Sequence, residues 1–145
     1  MLNKLIATKK DYELILNIWE KSVKKTHHFL SEADFKFYKE IIPEHLDSVI
    51  LYLWEDNGVI IGFSGISEDE LAMLFLDPNY IDKGYGGYIL IELIETEHVK
   101  RIDVNTQNEY AKNFYLKYGF EIEFEDDHDG FGKPYPITHL VKTTK

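Results

Sequence analysis

No cysteine occurs among the 145 residues, which excludes disulfides, thiolate nucleophiles and cysteine-ligated zinc. Only one arginine, Arg101, stands in a chain of formal charge −10. A nucleic-acid surface needs clustered Lys and Arg, so no nucleic-acid partner is expected. Long apolar runs are missing too: none approaches transmembrane length, and residues 1–6 lack the apolar core of a signal peptide. A cytoplasmic protein with no membrane partner is the expectation. The six histidines are scattered, with no H-x-x-x-H or His-carboxylate spacing, so no metal site is expected. Internal repeats, low-complexity tracts and linkers are absent as well. What the chain has is 44% hydrophobic and 14% aromatic residues, enough for one packed core in a length too short for two ordinary domains. Residues 1–145 are therefore read as a single domain. The surplus of carboxylates favours a cationic partner, although solubility alone accounts for such acidity in most proteins.

The organising stretch is residues 71–95: an apolar run, a turn opened by Pro78, a glycine turn and a helical pattern in which Ile89 and Leu93, and Leu90 and Ile94, recur four apart. A helix starting near Gly86 points its first, unpaired amides and the positive end of its dipole back toward the turn. That arrangement suits a pyrophosphate. Gly84, Gly86 and Gly87 permit left-handed torsions and a close approach of ligand to backbone. They also serve as plain turn punctuation. The order is not that of a Rossmann fingerprint, which needs a third, later glycine, and no Gly-Lys-Ser/Thr of a P-loop follows.

Elsewhere the pattern is regular. Residues 2–7 suit a first strand, and Thr8 with Asp11 offers a capping box for a helix bearing Ile15, Ile18, Trp19 and Ser22 on one face, running to about Lys25. Residues 26–30 form a joint. Ser31 with Asp34 caps a second helix, with Phe35, Tyr38, Ile41 and Ile42 as its apolar stripe and Pro43 as its end. Residues 49–54 and 59–66 read as strands joined at Asn57-Gly58, a strong hairpin cue, and residues 71–76 as a third antiparallel strand. Residues 101–105 are a short strand. Thr106 with Glu109 offers a capping box for a helix carrying Ala111, Phe114, Tyr115 and Tyr118 and stopped by Gly119. Residues 121–125 and 137–141 close the sheet around a loop. The fold class is α/β (α+β): a mixed, mostly antiparallel central sheet of about seven strands with helices on both faces, parallel only where a helix crosses from residues 71–76 to 101–105.

The turn resembles the acetyl-coenzyme A site of the GNAT family of N-acetyltransferases, whose Arg/Gln-x-x-Gly-x-Gly/Ala pattern falls on Ile81-Asp82-Lys83-Gly84-Tyr85-Gly86. A second segment, Asn108-x-x-Ala111-x-x-Phe114-Tyr115-x-Lys117-x-Gly119-Phe120, resembles the family's other cofactor segment at an ordinary distance downstream. The family's Arg or Gln is replaced by Ile81, so one side-chain contact to the phosphates is absent and the backbone must hold them. The resemblance implies acetyl-CoA as cosubstrate and direct transfer of its acetyl group to a primary amine, on a small molecule or a protein, in a ternary complex. It places the cofactor against the amides of Leu74, Phe75 and Leu76 and the turn residues Asp82, Lys83, Gly84, Tyr85, Gly86 and Gly87, with Asn108 and Asn105 on the pantetheine arm.

Acetyl transfer from a thioester needs donors at the developing oxyanion and a proton for the departing thiolate. Tyr115 is the candidate acid: a phenol keeps its proton at neutral pH. Its plainer reading is core packing beside Phe114. His27 lies in the joint where the family commonly builds its acceptor pocket, and is the candidate to contact acceptor or act as base; a loop histidine is otherwise structural. That Thr-His-x-Phe-Leu joint, with the Gly-Lys-Pro-Tyr-Pro loop at residues 132–136, resembles a small bacterial subgroup. The loop acids Asp126, Asp127 and Asp129 attract a cation or simply solvate a turn. The rival to an enzyme is a catalytically silent coenzyme A-binding regulatory protein, kept open by Ile81; a transferase for longer acyl groups is a third reading.

Overall fold

In the computed structural model, which describes residues 2–143, strands and helices follow the order read from the sequence. Strand β1 (Leu2–Ile6) leads to the Thr8–Asp11 capping box, in which Thr8 N donates to Asp11 Oδ2 at 2.9 Å. The box closes a short 3-10 turn, and α1 (Tyr12–Thr26) grows out of that turn. Its buried face is Ile15, Ile18, Trp19, Ser22 and Val23, the apolar stripe expected from the spacing. Helix α2 (Glu32–Leu46) is capped by Ser31, whose Oγ accepts from Asp34 N at 3.1 Å. Pro43 does not end it, contrary to the sequence expectation. Proline removes one helical hydrogen bond, and one further turn seats Leu46, only 1% exposed, in the core beside α1.

Strands β2 (Ile50–Asp56) and β3 (Val59–Ser67) form the expected hairpin. Asn57 and Gly58 both take positive φ, 51° and 84°, as a tight two-residue turn requires. β4 (Glu70–Leu76), α3 (Tyr85–Glu97), β5 (Arg101–Asn105), α4 (Glu109–Lys117), β6 (Phe120–Asp126) and β7 (Ile137–Lys142) complete the fold. The strand order is β1-β2-β3-β4-β5-β7-β6. Helices α3 and α4 pack on one face around Ile89, Leu90 and Leu93; α1 and α2 cover the other around Trp19 and Phe63. The Thr106–Glu109 capping box expected for α4 does not form. Asn108 is the N-cap, its Oδ1 accepting from Ala111 N at 3.2 Å, while Thr106 turns to Thr138, the two hydroxyl oxygens lying 2.6 Å apart.

One feature of the sheet positions everything that follows. The parallel pair β4 and β5 is in register only at Glu70 with Arg101 and Leu71 with Ile102. Beyond that the strands part. β4 stays bonded to β3 as far as Leu76 opposite Gly62, so the β4 edge facing β5 carries backbone groups with no partner strand over residues 72–76.

Candidate active site

Two cavities, of about 460 and 480 Å³, adjoin the opening between β4 and β5, the first lined by α3, α4 and the end of α1 and the second by α1 and α2. His27, Ala72, Met73, Phe75, Asp103 and Asn105 line both. A reaction between two bound molecules therefore has a place to occur, at the gap in the sheet.

The first cavity runs from the gap to the N-terminus of α3. Gly84, at φ 87°, is the left-handed N-cap of that helix, and the first intrahelical bond at its end is Tyr88 N to Gly84 O at 3.3 Å. The amides before Tyr88 are the free donors of a helix start. Asp82, Gly84, Gly86 and Gly87 line the cavity with Ile81, and open space surrounds the position a Cβ would take on Gly84. Gly87 has a more specific reason to be glycine: a Cβ there would lie 2.1 Å from the Tyr118 hydroxyl. The phenol at the C-cap of α4 thus approaches this residue closely, on a glycine that also lines the cavity. Two turn residues point elsewhere. Tyr85 donates from its hydroxyl to Asp56 Oδ2 at 2.5 Å, and neither Tyr85 nor the exposed Lys83 lines the cavity. Asp82 accepts a hydrogen bond from Tyr110, which ties the turn to α4.

Leu74, Phe75 and Leu76 form the β4 wall, and Asn105 and Asn108 face them from the β5 side. With the Asn108 Oδ1 engaged in capping α4, its amide NH₂ remains the group able to serve a ligand. Tyr115 has the core packing of its plainer reading and also lines the cavity. Its ring is core, 8% exposed and packed edge-on to Phe114 and Phe120 at centroid distances of 5.3 and 6.3 Å. Its oxygen is the other part of the story: Tyr115 lines the cavity, and no buried side-chain polar atom among the described residues lacks a hydrogen bond. Since the Tyr115 hydroxyl has no protein partner there, it opens to the cavity. Burial pushes its phenol well above the ordinary tyrosine value, so it holds its proton. Free helix-start amides, an unpaired strand edge and a lone hydroxyl along one elongated cleft fit a phosphorylated thioester arm.

The second cavity lies between α1, α2, β4 and the loop after β6. Trp19, Tyr38, Ile42 and Phe131 give it apolar and aromatic walls. At its rim His139 bridges two carboxylates, Nδ1 to Asp103 Oδ1 at 2.6 Å and Nε2 to Asp126 Oδ2 at 2.7 Å, with its ring stacked on Phe124 at 4.1 Å. Burial opposes protonation of His139, yet the hydrogen bonds to Asp126 and Asp103 raise its pKa overall. Two carboxylates around one imidazole leave the rim negative in either protonation state of the ring. Asp129 is structural: Oδ1 accepts from Phe131 N and Lys133 N, both at 2.9 Å, and Oδ2 accepts from Tyr38. Asp127 does not line either cavity. Asp103 and His139 carry no signal in the sequence, while Ser22 and Tyr118 read only as helix-face residues and Thr26 only as part of the joint before His27.

His27 ends α1 and stands where the cavities meet, its ring 5.2 Å from Phe29 and 6.4 Å from Phe75. Burial, with a smaller push from His28, lowers its pKa from 6.5 to about 4. The ring is neutral at pH 7. A depressed folded pKa means that the unfolded chain binds a proton between about pH 6.5 and 4 that the folded one does not. Stability contributed by the neutral ring is present above pH 6.5 and is lost as pH falls toward 4. Urea unfolding at pH 7 and at about pH 5 should therefore show a smaller acid loss for His27→Gln than for the wild type. The opposite contribution of His139 is common to both proteins and cancels; equal acid losses would place His27 in solvent.

The acetyltransferase (GNAT) domain family matches residues 47–122. The chain is 30% identical to the peptidyl-lysine N-acetyltransferase YjaB of Salmonella typhimurium over 142 residues, 97% of this chain and 98% of that one. It is 28% identical to the peptidyl-lysine N-acetyltransferase YiaC of Escherichia coli over 122 residues, 80% of this chain and 81% of the relative. The solution structure of apo-form YjaB from Escherichia coli superposes with a TM-score of 0.89 at 26% identity, covering 100% of this chain and 99% of that one. The PaiA N-acetyltransferase of Thermoplasma acidophilum, solved with coenzyme A, shares the fold at a TM-score of 0.72 and 22% identity, with 99% of each chain covered.

Proposed function

This chain belongs to the GNAT family of acetyltransferases, acyltransferases that use acetyl-CoA, and from that premise we propose that it acetylates lysine side chains of peptides or proteins at the gap between β4 and β5. The observation that carries the proposal is the meeting of two unlike cavities there, one ending at free helix-start amides and the other walled by aromatics beneath a negative rim. The negative rim of Asp103, His139 and Asp126 suits the ammonium of lysine, and Trp19 and Tyr38 suit its methylene stem. The names of the relatives support a peptidyl acceptor. Contact of both helical layers with one continuous sheet supports reading residues 1–145 as a single acetyltransferase domain.

In this reading acetyl-CoA supplies the thioester, its pyrophosphate held by the amides that follow Gly84. Free amides on the β4 edge over residues 74–76 polarise the acetyl carbonyl. The lysine ammonium first loses one proton to water to become the nucleophilic amine; on attack its nitrogen turns cationic and acidic, and neutral His27 takes the second proton. As the new C–N bond forms and the C–S bond breaks, Tyr115 gives its proton to sulfur. His27 then releases its proton to solvent and Tyr115 regains one, so the site returns to its starting state.

An acetyl-CoA assay following thiol release tests the acceptor. Lysine peptides should be turned over with at least tenfold higher kcat/KM than free polyamines or amino acids, a difference of about 1.4 kcal/mol. Asp103→Asn should raise the peptide KM several-fold with little change in that of acetyl-CoA. A preference for a small amine would overturn the lysine assignment, and no thiol release with any amine would overturn transferase activity at this site.

A further inference from the structure

We propose that Thr26 is a positioning residue that fixes the tautomer of His27, holding the proton on Nδ1 and keeping the Nε2 lone pair free where the two cavities meet. The inference rests on the reading of His27 as the base, and it follows from counting protons. Thr26 Oγ1 lies 2.8 Å from the carbonyl oxygen of Ser22 and 2.7 Å from Nδ1 of His27. A hydroxyl has one proton to donate. The Ser22 carbonyl can only accept, so the threonine proton is directed to it, a bond from a helix residue to the carbonyl one turn back. The remaining contact is satisfied only if Nδ1–H donates to Oγ1.

Neutral imidazole carries a single N–H, so Nε2 is left unprotonated. It has no protein partner among the described residues, whereas Phe29 and Phe75 flank the ring and His27 lines both cavities. The remaining titratable groups nearby do not compete for Nδ1: His28 is exposed, and Asp103 is engaged with His139. When Nε2 takes a proton from the acceptor nitrogen, both ring nitrogens become donors, and the bond from Nδ1–H to Oγ1 turns from neutral to charge-assisted. Thr26 therefore helps in two ways, by presenting the lone pair and by supporting the imidazolium.

The side chain is half-buried at the end of α1, where valine matches threonine in shape and lacks its hydroxyl, while serine keeps the hydroxyl. ¹⁵N spectra of histidine-labelled protein read the tautomer directly, because an unprotonated ring nitrogen resonates far downfield of a protonated one; His27→Gln identifies the signals. At pH 7 the wild type and Thr26→Ser should show His27 protonated at Nδ1 and bare at Nε2. In Thr26→Val the proton should move wholly or partly to Nε2. Thr26→Val should lose on the order of three- to tenfold in kcat, the size of one neutral hydrogen bond, with the KM for acetyl-CoA unchanged and with activity restored in Thr26→Ser.

An Nε2–H tautomer in the wild type, or an unchanged tautomer in Thr26→Val, overturns the proposal. So does a shifted tautomer without loss of kcat. His27→Ala separates the two layers of the argument: if it retains full kcat, His27 is not the base, whatever the spectra show of Thr26.

Discussion

Replacing Tyr115 by phenylalanine is expected to lower kcat by about 10²-fold, near the lower end of what general acid catalysis contributes, with both KM values nearly constant. The structure makes this substitution unusually clean. The ring of Tyr115 is packed against Phe114 and Phe120 and is 8% exposed, and phenylalanine keeps all of those contacts. The hydroxyl removed has no hydrogen-bond partner among the described residues, so the substitution leaves none of them with a lost partner and the melting temperature should scarcely change. The low end of the range is expected because a thiolate leaves tolerably even without a proton. For the same reason the loss should grow with poorer acceptor amines, which reach a later transition state with more charge on sulfur. The measurement is steady-state thiol release by the two proteins at matched acetyl-CoA saturation. A variant within about threefold of wild type, far below the usual acid contribution, would make Tyr115 a packing residue and leave the proton to water.

What the sequence revealed and what it hid divide along chain separation. Residues that interact within one turn or one hairpin were legible: the Asn57-Gly58 turn, the Ser31 cap, the α1 stripe and the glycine start of α3 depend on neighbours a few positions away. Pro43 misled because its local cost is one hydrogen bond, and the sequence does not show that burying Leu46 outweighs it. Gly87 shows the same division: it lines the cavity, and the further reason for its lacking a Cβ is Tyr118, 31 positions later at the C-cap of α4.

The acceptor side was the least legible part, since its walls come from the most distant segments. The loop after β6 reaches α2 through Tyr38 on Asp129, Tyr135 on Asp34, and Lys133 Nζ 3.2 Å from Asp34 Oδ1. Asp34 was visible in the sequence as a capping residue only. Likewise Asp103, Asp126 and His139 sit on three different strands, β5, β6 and β7, and acquire a joint meaning from the order in which those strands pair. Resemblance supplied the cofactor side because its two segments are short and contiguous. No contiguous segment encodes the acceptor side.

The phosphate seat yields the other large effect: Gly86→Val should abolish the thermal shift produced by acetyl-CoA. At a ligand concentration of one hundred times Kd, binding to the folded state alone stabilises it by about 2.7 kcal/mol. For a chain of this size that corresponds to a rise in Tm of roughly 6–10 °C. A Cβ on Gly86 would lie 3.4 Å from Phe114 Cζ and 3.8 Å from Leu76 Cδ1, so one added carbon makes ordinary contacts. The two further methyls of valine must press on Phe114 or project into the cleft beside the helix-start amides. In the second case they stand where the pyrophosphate approaches. With no Arg or Gln at position 81 to share the load, the proposed seat leaves the phosphates to the amides alone. A hundredfold weakening would leave only about 0.4 kcal/mol at the same ligand concentration, a shift of about 1 °C. Gly86→Ala separates packing from binding: its apo Tm should stay close to wild type and its ligand shift should be intermediate. If valine lowers the apo Tm by several degrees, alanine becomes the deciding variant, and a full ligand shift in folded Gly86→Ala would move the phosphates away from this turn. The same inference follows directly if folded Gly86→Val keeps the wild-type shift, for then the amides of α3 are not what acetyl-CoA binds.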